Sequence, residues 1–165
     1  EFNPEKPHQV WVTDITYIWT SKGWLYLATV MDLFSRKIVG WSLNKTMTKE
    51  LPLQALNRAI NQRKPPYGLI HHSDRGSQYC CRDYIDLLRG RKIRISMTEE
   101  NHCYENAMAE RVNGILKHEY GLKNDFRTKK QAVSAIRQAI MLYNEFRPHY
   151  KLNMKTPSEV HKLAA

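Results

Sequence analysis

Leu69-Ile70-His71-His72-Ser73-Asp74-Arg75-Gly76-Ser77-Gln78-Tyr79 sets one acid against a short apolar run and a turn. Gly68 to His72 has the length of a short buried strand, and Arg75-Gly76-Ser77 has the composition of a turn. Asp74 therefore falls at a strand's carboxyl end. In open α/β sheets that edge is where ligands are held, and an acid on a rigid strand can coordinate a metal with little reorganisation. Its chemistry depends on whether further carboxylates reach the same edge.

Upstream, Gln9 to Ile18 is rich in β-branched and aromatic residues and reads as a first strand carrying Asp14 in its middle. Ser21-Lys22-Gly23 reads as a hairpin turn, followed by a strand from Trp24 to Asp32 and, after Ser35-Arg36-Lys37, a third from Ile38 to Ser42. Three strands joined by short turns imply an antiparallel meander. Thr48 is placed to cap a helix running to about Gln62, and Lys64-Pro65-Pro66-Tyr67-Gly68 breaks it.

Downstream, the apolar spacing predicts a short helix from Cys81 to Arg89 and a strand from Ile93 to Met97, then a mobile polar loop from Thr98 to Tyr104. A helix from Asn106 carries Glu110 and ends near Gly121; a last helix begins within Asp125–Thr128 and runs to about Phe146. The tail from Arg147 to Ala165 reads as an extended arm with a short helix from Pro157. The expected class is α/β, a mixed five-stranded sheet flanked by helices, in one domain over residues 1–165.

Composition narrows the function. Lys and Arg number 26 against 16 Asp and Glu, a formal charge of +10, so the surface suits a polyanion, above all nucleic acid. Cys80, Cys81 and Cys103 are too few for a disulfide framework and read as plain buried thiols in a reducing compartment. No signal peptide is visible, and charges interrupt the apolar runs short of membrane-spanning length, so the expectation is a cytoplasmic, nucleoid-associated protein without a membrane partner.

Asp14, Asp74 and Glu110 are the acids that such a fold can gather, with 35 residues (positions 75–109) between the last two. Phosphoryl transfer needs carboxylates that hold two divalent cations, one activating the attacking oxygen and one stabilising the leaving oxygen. Carboxylates suit Mg²⁺ or Mn²⁺. The bland readings are an Asp14 held by a partner such as Arg, an Asp74 capping its turn and a Glu110 solvated on its helix.

WVTDITYI, HHSDRGSQY, NHCYENAMAERVNGILKHE and YNEFRPHYKL with MKTPSEV together resemble the catalytic core of bacterial insertion-sequence transposases of the DDE class, relatives of retroviral integrases. The resemblance spans nearly the whole chain. It implies an RNase H-like fold, catalytic and metal-binding roles for Asp14, Asp74 and Glu110, and a DNA contact for Lys117, seven residues beyond Glu110 on the same helix face. It also implies a homo-oligomer joining element ends to target DNA, and an amino-terminal helix-turn-helix region outside this chain. The chain departs from the pattern at Glu100 and Glu105, where relatives carry Gly and Asp.

Arg111, Lys117, Lys123, Lys129 and Lys130 could form a phosphate-binding stripe, although a charge run is ordinarily a solvated face. His71-His72 with Cys80-Cys81 does not have zinc spacing, since adjacent strand residues point to opposite faces; one His could instead lie beside the metals. Asp32 reads as a turn-initiating residue before Ser35 rather than a fourth acid, and Trp11, Trp19, Trp24 and Trp41 read as packing. The expected activity is strand cleavage and strand transfer at element ends; the alternatives are a structure-selective nuclease of the same fold and a DNA-binding module without activity.

Overall fold

The computed structural model describes residues 2–74, 76–97 and 104–163, and the side chains at 104–106 are not described. Arg75, Cys103 and all of the expected Thr98–Tyr104 loop except Tyr104 lie outside the described residues. The meander forms as expected: β1 (Val10–Thr20), β2 (Gly23–Asp32) and β3 (Ile38–Asn44), followed by α1 (Glu50–Arg63). β4 (Ile70–Ser73), α2 (Ser77–Cys80), α3 (Arg82–Gly90) and β5 (Arg94–Met97) come next, then α4 (Tyr104–His118), α5 (Lys129–Phe146) and α6 (Pro157–Leu163). The sheet order is β3-β2-β1-β4-β5, with β1 and β4 parallel neighbours.

Alternation along the strands divides the core in two. Val10, Val12, Ile18, Leu25 and Leu27 pack with α4 and α5, while Trp11, Ala28, Val30 and Val39 pack with α1 and α3. Gly40 on β3 allows α1 to come close, because a Cβ there would lie 2.6 Å from the Ala55 carbonyl oxygen and 2.7 Å from the Ala59 Cβ. Thr128 caps α5 by accepting from the Gln131 amide at 3.2 Å.

Several expectations need correction. Thr48 does not cap α1; its hydroxyl hydrogen-bonds the Glu50 side chain. Trp19 and Trp24 are exposed; β4 pairs only with Val10–Val12, and near the hairpin tip β1 meets Phe126 instead, in a bridge to Thr20. The two indoles stack edge to face on each other, with ring centroids 4.8 Å apart. Cys80 is exposed and Cys81 half-buried, so neither is a core thiol. Asp32, by contrast, starts its turn as expected: it is fully buried and accepts from Ser35 N and Oγ at 2.9 and 2.8 Å and from His8 N at 2.8 Å. No helix among the described residues is long and apolar enough to cross a membrane.

Candidate active site

β1 and β4 run in a register whose offset is 70 − 10 = 60, pairing Val10 with Ile70 and Val12 with His72. Continued two residues, that register sets Asp74 beside Asp14 on the face of the sheet that α4 covers. β4 ends at Ser73, so Asp74 leaves the ladder into solvent, and its Oδ1 accepts from the Gly76 amide at 2.8 Å. A Cβ on Gly76 would approach that oxygen to 2.9 Å, so the turn is shaped closely around the carboxylate. From behind, the buried Tyr79 hydroxyl hydrogen-bonds Thr13 at 3.0 Å and fastens the turn to β1.

α4 brings the third acid. Glu110 is exposed on the helix, and its charge, with that of Asp74, reaches Asp14. Burial is the largest influence on Asp14; the two neighbouring carboxylates add to it, and the carboxyl is pushed up to about 6 against the bonds from Ile15 and Asn113. The three acids therefore share one electrostatic field. Among the described residues no group of three His, Cys, Asp or Glu side chains converges closely enough to form a metal shell. The donor chemistry nonetheless fits a hard cation: oxygen ligands only, mutually repelling, one of them half-buried.

Lys117 is half-buried on α4; burial and Lys123 lower its pKa while Asp14 opposes them, which places both lysines beside the acids. Arg111 faces the other way, towards Glu119 and His149. His71 is buried, bonded to the Tyr84 hydroxyl at 2.6 Å and held neutral by burial, with its pKa near about 3, while His72 contacts Ser96 Oγ at 3.0 Å. Asn113 escaped the sequence reading. It is 4% exposed, and its Nδ2 donates to Asp14 Oδ2 at 3.0 Å, while its Oδ1 is buried without a partner among the described residues. The signal was available as an amide on the apolar face, three residues after Glu110 and four before Lys117.

A model of the integrase core domain family matches residues 4–103, and a second integrase core domain model matches residues 91–157. The chain belongs to the integrase core domain family. The chain is 42% identical over 169 residues to the insertion element IS600 uncharacterized 31 kDa protein of Shigella sonnei, across 99% of its own length and 62% of that protein. It is 45% identical over 119 residues to transposase InsF for insertion sequence IS3fB of Escherichia coli (strain K12), across 72% of its length and 41% of that protein. The chain thus corresponds to part of each of these longer relatives.

Solved structures place the integrase core fold beyond sequence likeness. The HTLV-2 integrase catalytic core domain in complex with magnesium (trimeric form) superposes with a TM-score of 0.77 at 22% identity, over 96% of this chain and 99% of that one. A chain of the simian T-cell lymphotropic virus intasome in complex with PP2A regulatory subunit B56 gamma reaches 0.82 at 21% identity, over 97% of this chain and 56% of its own. The mixed five-stranded sheet flanked by helices is the RNase H-like sheet of integrase cores.

Proposed function

We propose that this chain is the catalytic core of an insertion-sequence transposase, a metal-dependent polynucleotidyl transferase that cuts DNA at element ends and joins the freed 3′-hydroxyl to target DNA. The observation that carries the reading is the gathering of Asp14, Asp74 and Glu110 at the edge where β1 and β4 run side by side, where burial first, and then the charges of the other two acids, push Asp14 up to about 6. Family membership and the transposase relative support it.

Asp14, Asp74 and Glu110 would hold Mg²⁺ or Mn²⁺, two ions in the reading preferred here. Bound there, the ions would supply Lewis-acid activation of the attacking oxygen and stabilisation of the leaving one. The protein's own residues do the rest. Asn113 holds Oδ2 of Asp14 and so sets the carboxylate's orientation, and the Gly76 amide orients the Asp74 carboxylate. Lys117 and Lys123 offer positive charge beside the acids, and Arg111 extends it along α4 to the neighbouring face. Asp14 must be ionised to ligate, so metal affinity should weaken as pH drops below about 6.

Joining two ends calls for at least two copies around DNA, and a homo-oligomer is part of the proposal. The test is product analysis on a branched oligonucleotide resembling a joined end, with Mn²⁺ or Mg²⁺, for the native chain and for Glu110→Gln. Rejoined strands that vanish in the variant are the expected result. Hydrolysed fragments without joining would replace the transferase with a nuclease. Metal-independent binding with no product would leave a DNA-binding module.

A further inference from the structure

The acids and lysines above lie on one side of α4. On an adjoining side, α4, the turn between β2 and β3 and the segment after α5 enclose a cavity of about 460 Å³ that the proposed chemistry does not use. Arg36, Arg111, Arg147 and Lys151 line it around His149, and no acidic residue is among the described residues of its wall. Glu119 reaches Arg147 from outside, in a two-point pair at 2.8 and 2.9 Å. That pair turns the remaining Arg147 nitrogen, Nη1, towards the Pro148 carbonyl oxygen and His149 Nδ1.

A guanidinium can only donate, so His149 Nδ1 accepts at 3.4 Å and the ring proton sits on Nε2. This Nε2 is buried and has no hydrogen-bond partner among the described residues. Burial, then Arg147, Arg36 and Arg111, push the imidazole down to about 4, so the ring stays neutral and keeps its donor. Four cations, of which Arg147 is paired with Glu119, thus line one space with His149, and no acidic residue is among the described residues of its wall. An oxyanion would relieve the repulsion, and guanidinium forks match phosphate oxygens.

A second cavity of about 520 Å³ shares Arg36 and Lys151 with the first and adds Lys155. The cations therefore continue along a groove instead of ending at one pocket, which favours a polyanion over a single free phosphate. We propose that this groove binds the phosphodiester backbone of DNA at a position separate from the phosphate at the Asp14 edge. The choice of DNA as the anion rests on the proposed function; the anion chemistry does not. Arg111 directly follows Glu110 on α4 and so lies about 100° round the helix from it, which sets the groove beside the acids and apart from them.

The test measures affinity of the chain for a short DNA duplex in EDTA, as a function of salt, by fluorescence anisotropy. Arg36→Gln with Arg111→Gln is compared with Lys64→Gln with Arg91→Gln, which removes the same charge from a different surface. The groove variant is expected to bind at least about tenfold more weakly, with a salt slope shallower by about two, and the control to change far less. His149→Ala should weaken binding with the slope unchanged. Should the double variant fail to fold, Arg111→Gln alone, at an exposed position, is expected to lower the slope by about one. Equal losses in groove and control variants would reduce the effect to net charge and overturn the site. An imidazole signal of His149 that responds to inorganic phosphate and not to duplex would assign the groove to a free anion and equally overturn it. Strand transfer on the branched substrate is read separately: joining with an unaltered slope sinks the groove alone, and an altered slope without joining sinks the catalytic reading alone.

Discussion

At the scale of single residues, the site is a problem of unrelieved charge. Asp14 is an acid whose pKa is higher in the folded chain than in the unfolded one, so the unfolded state gives up its proton first. Without cations, stability falls as pH rises from about 4 through about 6, and the penalty persists above that. At ~1.4 kcal/mol per unit, it is on the order of 2–3 kcal/mol. Asp14→Asn should therefore raise the melting temperature of the metal-free chain at pH 7.5 and lose the stabilisation that Mn²⁺ gives the native chain; a lower melting temperature in scans at both pH 4 and pH 7.5 would refute this. Asn113→Ala should cost about 10–100-fold in metal affinity or turnover, the range typical of groups that orient metal ligands. Its turnover-pH profile should move to higher pH as Asp14 loses its amide partner, and an unmoved profile would deny Asn113 that positioning role. Asp74→Asn should keep the fold by circular dichroism and abolish strand transfer. The acids were legible in the sequence by type and place. The bond between Asn113 and Asp14 was not, because it joins positions 99 apart and depends on the rotation of α4 about its axis.

At the scale of elements, the strands and long helices follow from their periodicity, and the errors fall where coverage by another element decides exposure. The pattern of β1 and β2 reads as buried along its whole length, yet near the hairpin tip only the face with Ile18 and Leu25 is covered, and on the other face Trp19 and Trp24 cover each other in solvent. A cap at Thr48 was plausible from residue type, but the hydroxyl found the Glu50 side chain instead. Gly40 brings β3 close against α1, and Gly40→Ala tests that contact. The added methyl has nowhere to go against Ala55 and Ala59, and a loss of about 1–3 kcal/mol in urea unfolding is expected. Full stability in that variant would mean that α1 can move away from the sheet without cost.

At the scale of the whole molecule, the strand order was legible only as a possibility. That β1 and β4 can be neighbours follows from the alternation of strands and helices; that they are parallel at an offset of 60 belongs to the folded chain. Net charge of +10 was the broadest signal, and its distribution around α4 gives it direction. The segments around positions 8 and 161 also meet. Trp11 Nε1 donates to His8 Nδ1, and His8 and His161 touch through their Nε2 atoms at 3.1 Å. His161 in turn contacts Ser35, whose hydroxyl is bound to Asp32. Positions 8 and 161 are thus stapled at the end of β1 remote from the hairpin tip, about 20 Å along the strand from His8 to Asp14. In engineering terms the domain is an insertable cassette. It could be spliced into a loop of a host protein through both ends at once, or reopened at the Lys22 turn with its old ends bridged by a short linker, and the acids would keep their places.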